Sequence, residues 1–296
     1  MEQLSFGKTG MQVSVLGFGG SEIGFEGAAD SDVERLLTSA IDSGLNVIDT
    51  GECYADSEEK IGRAVGKLRS KFFLFTKMGH SSGFPEPDWD PAMLVKQVDR
   101  SLIRLQTDCL DLLQIHSCSE EMLRKGDVIE VAQRAKEAGK TRFIGYSGDS
   151  SAARYAVECG VFDALQTSCN IADQESIDLT LPLAIEKGMG VIAKRPVANV
   201  AWSKGSKPGV YGHEYWKRLQ ELSYPFIEET PDPVGIALRF TLTVPGVHVA
   251  IVGTKNPDRW AQNAKLLEAG PLSPPEFHAI RDRWAEVAKP DWIGQE

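Results

Sequence analysis

The chain has 296 residues, 42% apolar and 25% charged, the composition of a folded protein with room for an extensive core. Its 32 Lys and Arg stand against 42 Asp and Glu, and the net charge of -10 disfavours nucleic acid or an anionic membrane as the main partner. Met1-Glu2-Gln3 begins no basic-then-apolar leader and no run approaches the roughly 18 apolar residues of a membrane helix, so a cytoplasmic location is the default expectation.

Taken in order, Leu4 to Val13 holds a Gly-Lys-Thr-Gly turn between short extended pieces and reads as a hairpin capping one end of the fold. Val13 to Phe18 reads as a strand ended by Gly17, Gly19 and Gly20, where backbone can approach a ligand or simply turn. Asp30-Ser31-Asp32 starts a helix with Val33, Leu36, Leu37, Ala40 and Ile41 on one face, stopped at Gly44. Val47 to Asp49 is a short strand, and Ser57, read as a cap, opens the next helix with Glu58 and Glu59 in its first turn. Phe72 to Lys77 has the continuous apolar run of a strand buried on both faces.

The alternation continues with a helix at 90–105, a strand at 110–116, a helix ended by Gly139 and a strand at 141–147. Helix at 150–159, strand at 162–167, helix at 179–187 and strand at 191–194 follow. The pattern closes with helix at 232–242, strand at 249–252 and helix at 257–269. Two connections are long: Met78 to Trp89, whose Phe84 and Trp89 either line a pocket or face solvent, and Arg195 to Pro231, with an extra helix at 213–223. A last helix spans 274–287.

Eight strand and helix units without a Pro/Gly/Ser-rich linker point to one α/β domain over residues 1–296, a closed parallel (β/α)8 TIM barrel with an N-terminal β-hairpin and extra helices outside the repeat. An open doubly wound sheet is the alternative. In the barrel, Asp49, Lys77, His116 and Ser147 end consecutive strands and converge on one rim, with Tyr54 in the loop after Asp49. Taken alone, Asp49 is equally a turn residue, Tyr54 a surface aromatic and His116 a satisfied strand-end histidine.

The five cysteines, Cys53, Cys109, Cys118, Cys159 and Cys169, form no Cys-x-x-Cys pair and read as reduced packing thiols. His80, His116, His213, His248 and His278 show no His-x-x-x-His spacing, and no metal is expected.

The motifs Asp49-Thr-Gly-Glu-Cys-Tyr54 with Ser57-Glu58 and Ile61-Gly62, Phe75-Thr76-Lys77, Leu113-Gln-Ile-His116, Gly139-Lys-Thr-Arg-Phe-Ile-Gly-Tyr-Ser147 and Ile251-Val-Gly-Thr254 occur in this order. Together they make the chain resemble the aldo-keto reductases over nearly its full length. The resemblance implies an NAD(P)H-dependent oxidoreductase that interconverts carbonyls and alcohols, with a nicotinamide ring at the barrel mouth and a small carbonyl as substrate. Tyr54 is then the proton donor, Lys77 the ammonium that lowers its pKa, Asp49 the partner of Lys77, and His116 the group orienting the carbonyl oxygen.

For the cofactor, the resemblance assigns Ser147 and Gln166 to the carboxamide. The family's asparagine falls at Gly148, where Asp149 is the candidate replacement, and Asn170 follows the pattern of the sixth barrel strand. Lys194, with Arg195 beside it, stands where an aromatic often stacks on the ring, and its aliphatic stem can take that place. Gly19 lets backbone approach. Thr254, Lys255, Arg259, Gln262 and Asn263 resemble the grip on the adenosine 2′-phosphate and adenine, with Lys255 compensating for a family lysine that falls at Gly253. Alternatively, Arg259 is a solvated helix charge. NADPH is expected ahead of NADH. A nicotinamide-sensing protein with little turnover, and a barrel enzyme for phosphorylated sugars, are the competing readings. The short connection after His116 points to an open substrate site, while oligomeric state and substrate identity are not specified by the residues.

Overall fold

Strand periodicity positions everything that follows, because alternate residues of a barrel strand point inward and the others outward. The computed structural model describes residues 1–203 and 212–295. It opens with an antiparallel hairpin, β1 (Gln3–Ser5) and β2 (Gln12–Ser14), paired Gln3 to Ser14 and Ser5 to Gln12. The single strand expected over Val13 to Phe18 is therefore two: β2 ends at Ser14 and the barrel begins with β3 (Leu16–Gly19). Asn46 causes the division, accepting from the Ser14 N–H (2.6 Å) and donating to the Gln12 carbonyl (2.7 Å).

Parallel strands β4 (Val47–Asp49), β5 (Phe73–Met78), β6 (Leu110–His116), β7 (Thr141–Ser147), β8 (Ala164–Ser168), β9 (Gly190–Lys194) and β10 (Val249–Gly253) complete the sheet. The barrel closes in the order β10-β3-β4-β5-β6-β7-β8-β9. The open-sheet alternative is thereby removed, since β10 pairs with both β3 and β9.

Helices α1 (Ser21–Phe25) and α2 (Asp30–Asp42) follow β3, α3 (Ser57–Val65) follows β4, and α4 (Pro91–Arg104) follows β5. After β6 come α5 (Glu120–Lys125) and α6 (Asp127–Glu137), then α7 (Ser150–Glu158) after β7. The helix expected over 179–187 is α9 (Leu181–Lys187), with Pro182 in its first turn where no backbone donor is needed, and a short additional helix α8 (Glu175–Leu179) precedes it. α10 (His213–Leu222), α11 (Pro225–Glu229) and α12 (Pro233–Thr243) precede β10, α13 (Arg259–Leu266) follows it, and α14 (Pro274–Val287) lies outside the repeat. Asp90 caps α4 by accepting from Met93 N (3.0 Å), and Ser273 and Glu276 form a capping box at α14. Among the described residues no helix is long and apolar enough to cross a membrane.

Two apolar clusters follow from the alternation. Ile48, Leu74, Leu113, Ile144, Leu165 and Val191 point outward and bury the helices' apolar faces. Val47, Phe75, Leu112, Ala164, Ile192 and Val249 point inward, plugged from below by Phe6, Met11 and Val13 of the hairpin. Phe6 stacks on Phe75 at 5.7 Å between centroids, and its ring lies so close to Gly190 that a Cβ there would meet it at 2.4 Å.

Candidate active site

Moving two residues up each strand from the inward apolar layer replaces hydrocarbon with polar groups: Val47 gives way to Asp49, Phe75 to Lys77, Leu112 to Gln114 and then His116, Ala164 to Gln166, Ile192 to Lys194. Register brings these to one rim, pairing Gly253 with Gly19, Gly19 with Asp49, Lys77 with Gln114, His116 with Ser147, and Ser147 with Gln166. The polar layer is thus the upper storey of the same barrel interior.

At its centre Lys77 Nζ donates to Asp49 Oδ2 at 2.5 Å and to the Thr50 carbonyl at 2.7 Å, with the two side chains 1% and 2% exposed. Asp49 Oδ1 accepts from Gln114 and Gln166, both at 2.9 Å, so three donors hold the carboxylate. Lys77 Nζ also lies 4.9 Å from the centroid of the Tyr54 ring, with Tyr54 half-buried. Burial pushes the Tyr54 phenol up to about 12, with the Lys77 ammonium acting in the opposite direction. The expected lowering by Lys77 is therefore present but smaller than desolvation, and the phenol stays protonated at neutral pH.

His116 packs edge-on to Tyr54, ring centroids 5.6 Å apart, and its Nδ1 lies 3.5 Å from Cys53 Sγ. Burial first, then the charges of Lys77, His80, Lys194 and Arg195, holds its pKa well below the ordinary histidine value. The ring is neutral. The long connection after β5 folds over it: Trp89 Nε1 donates to the His116 carbonyl (2.8 Å), His80 lies 4.9 Å from the His116 ring, and Asp88 accepts from the Ser81 N–H (2.7 Å) while bonding His80 Nδ1 (3.0 Å). Of the two aromatics expected there, Phe84 instead stacks under Arg100, with the guanidinium 3.9 Å from its centroid.

Around the rim, Ser147 Oγ donates to Gln166 Oε1 at 3.1 Å, so the two residues assigned to a carboxamide already touch. The Asp149 carboxylate beside Gly148 is engaged within the protein. It accepts from Thr167 Oγ1 (2.8 Å), Ser168 N (2.7 Å) and Ser168 Oγ (3.1 Å), and pairs with Lys194 at 2.9 Å. Gly148 in turn is pressed on Tyr146, whose hydroxyl would lie 2.4 Å from a Cβ. Arg195 donates to Ser168 Oγ (2.9 Å) and to the Gln295 carbonyl, which brings the C-terminal segment beside Lys194 and Asp149. Asn170, buried, accepts from the Ala172 N–H at 2.8 Å while its amide nitrogen has no partner.

At the β10 end, a Cβ on Gly19 would be in ordinary contact with the Gly253 backbone, 3.6 Å from its nitrogen. The tight glycine is Gly20, whose Cβ would lie 2.8 Å from Ser57 Oγ. That hydroxyl donates to the Gly20 carbonyl (2.7 Å) and bonds Thr50 (2.9 Å), so Ser57 ties loop to helix and does not cap α3. Thr254 Oγ1 accepts from Asn256 N (3.0 Å) and Asn256 Oδ1 from Asp258 N (3.0 Å), building the turn into α13. Arg259 and Gln262 are exposed at the start of that helix and Asn263 is buried. Lys255 pairs with Glu26 at 3.1 Å, and the Glu22 carboxylate fills the space a side chain at Gly253 would need, 1.7 Å from its Cβ.

Comparison with known proteins decides the family. The sequence model of the Aldo/keto reductase family matches residues 15–285. The chain belongs to the aldo-keto reductase family. The structure is similar to aldo-keto reductase AKR11C1 from Bacillus halodurans in its holo form, with a TM-score of 0.83, 25% identity and 96% of each chain covered. In sequence the chain is 27% identical to the oxidoreductase YqkF of Bacillus subtilis, over 95% of this chain and 96% of that one. It is 33% identical to L-galactose dehydrogenase of Arabidopsis thaliana, over 67% of this chain and 66% of that enzyme's length.

Within this aldo-keto reductase, several neighbours of the rim have no separate signal in the sequence. Phe25, 64% exposed, lies 5.7 Å from the Tyr54 ring and forms an aromatic wall beside it. Glu52 is buried with Arg100 and Arg104, and accepts from Gln97 at 3.0 Å, whose amide also holds Gly79 and His80. Ala55, Ser117 and Arg195 adopt positive φ of 49°, 49° and 56°, each directly after a rim residue. Left-handed backbone in non-glycine residues costs roughly 1 to 3 kcal/mol each. The Lys194 and His116 turns are thus held by their surroundings.

Glu58, under the same loop, accepts from Thr76 Oγ1 at 2.7 Å, and burial pushes its carboxyl from 4.5 to about 7. Between those values the folded chain keeps a proton that the unfolded chain has released. The group's contribution to stability therefore falls as pH rises through this window, by at most about 1.4 kcal/mol per pH unit. Denaturant unfolding at pH 5, 6 and 7 is expected to show Glu58→Gln gaining on the parent chain as pH rises. Parallel curves would exclude a proton on Glu58.

Proposed function

We propose that this protein is an NADPH-linked oxidoreductase that reduces aldehyde or ketone carbonyls, or runs in reverse, with its whole site on the one barrel formed by residues 1–296. The observation that carries the reading is the Asp49–Lys77 ion pair set beneath Tyr54 and His116 on one rim. A dihydronicotinamide bound at the mouth supplies the hydride. Ser147 and Gln166 have the donor and acceptor chemistry for its carboxamide.

Tyr54 holds the proton that the forming alkoxide needs, and its elevated pKa keeps that proton available at neutral pH. An alkoxide is a far stronger base than a phenolate, so transfer from Tyr54 to it is downhill. Lys77 then stabilises the phenolate left behind, while Asp49, fixed by Gln114 and Gln166, keeps the ammonium in place. Neutral His116 offers a ring N–H to the carbonyl oxygen as charge grows on it.

For the adenosine end we propose that Arg259 and Lys255 hold a 2′-phosphate. The Lys255–Glu26 pair is exposed and worth at most about 1 kcal/mol, so a phosphate can take over the lysine. A second reading, NADH, is favoured by Glu22, whose carboxylate lies over Gly253. Steady-state oxidation of NADPH and NADH with a panel of aldehydes and ketones tests both. Arg259→Ala is expected to lower the NADPH to NADH ratio of kcat/KM at least tenfold. An unchanged ratio would favour NADH. Tight nucleotide binding with no turnover on any carbonyl would instead support a sensing protein and end the enzyme reading.

A further inference from the structure

The fold gathers three groups that the sequence keeps apart. One ligand atom from each of Cys53, His80 and His116 lies within 4.8 Å of the others, and all three residues are half-buried at the barrel mouth. They arrive on separate loops: Cys53 after β4, His80 after β5 and His116 at the end of β6. Cys53 Sγ and His116 Nδ1 are already 3.5 Å apart, and the ligands of a tetrahedral zinc ion stand about 3.5 Å from one another.

The surroundings are those of a ligand set. His80 bonds Asp88 through Nδ1 at 3.0 Å, the carboxylate partner that fixes the tautomer of metal-binding histidines and leaves the other nitrogen with its lone pair. Asp88 is itself held by the Ser81 N–H, and the His80 carbonyl by Gln97. One thiol and two imidazoles match the borderline-soft preference of zinc, and the partial exposure leaves a fourth position for water.

We propose that Cys53, His80 and His116 form a Zn²⁺ site at the barrel mouth, oriented through Asp88. Coordination replaces the Cys53 S–H bond with an S–Zn bond and releases that proton to solvent. A thiol of ordinary pKa about 8.5 is protonated at neutral pH, so binding releases one proton per metal. The thiolate formed offsets the repulsion between the cation and Lys77. Because His116 is shared, bound zinc puts a metal ion and its water beside the position the carbonyl must take; this consequence alone rests on the proposed reductase reading.

The test uses the full chain, freed of metal with a chelator and titrated with Co²⁺ and then Zn²⁺. One equivalent of Co²⁺ is expected to give a thiolate-to-metal charge-transfer band that Zn²⁺ abolishes, with one proton released per metal in weak buffer. Cys53→Ser removes the band, His80→Ala weakens binding at least tenfold, and Asp88→Asn weakens it by roughly ten- to a hundredfold. Thermal unfolding of each variant checks that it remains folded. Absence of saturable one-to-one binding, or a band that survives Cys53→Ser, would overturn the site. These readouts need no turnover, so their failure leaves the reductase reading untouched. Inhibition by Zn²⁺ that His80→Ala relieves is expected alongside, and full turnover with zinc bound would overturn the sharing of His116.

Discussion

Tyr54→Phe is expected to lower carbonyl reduction by at least about a hundredfold while leaving nicotinamide nucleotide binding close to that of the parent protein. The substitution removes one oxygen and its proton from a ring that packs against His116 and stands over Lys77. No hydride acceptor is lost, so the deficit falls on kcat, where a general acid acts. Single-turnover reduction followed at the nicotinamide absorbance separates this from slow product release. Turnover within a factor of three of the parent would remove Tyr54 as the proton donor and leave water or another group in that place.

The second large effect concerns the buried pair. Lys77→Met leaves the Asp49 carboxylate inside the barrel without its ammonium partner and with only its two glutamine donors, and breaking a buried pair in this way costs roughly 3 to 5 kcal/mol. The low end is expected here because Gln114 and Gln166 still solvate one oxygen. Denaturant unfolding measures the loss. The double variant Asp49→Asn with Lys77→Met removes both charges and is expected to recover part of that stability without recovering turnover, since the proposed stabiliser of the Tyr54 phenolate is still missing. Recovery of both together would mean that Lys77 serves only to hold the barrel.

The rim was legible in the sequence wherever strand ends carried the chemistry. Asp49, Lys77, His116, Ser147 and Gln166 each close a short apolar run, and period-two alternation places them in one layer as soon as the strands form a parallel barrel. Helix spans such as Pro274–Val287 followed from caps and prolines, which act over three or four residues. The hairpin and first barrel strand were run together, because their boundary is set by Asn46, more than thirty residues along the chain.

Other features depend on neighbours with no fixed sequence offset. Lys255 was expected to compensate for the family lysine at a phosphate, and the fold also brings Glu26 to it from across the seam between β10 and β3. Asp149 stood next to the vacant asparagine position, yet Thr167, Ser168 and Lys194 claim its carboxylate. The direction in which Tyr54 shifts could not be read from a nearby lysine, since burial is contributed by many residues at once. Cys53, His80 and His116 showed no ligand spacing because their proximity comes from strand neighbours and a folded connection.

By itself, the sequence determined the eight strand and helix units and the residues at each strand's end, because periodicity and capping are local and every strand reads the same two-residue rule. Only the tertiary structure decided which of those groups are satisfied, which are charged and which stand within bonding distance. Desolvation and side-chain pairing are set by what closes over a group in space, and closure of the barrel joins residues separated by hundreds of positions.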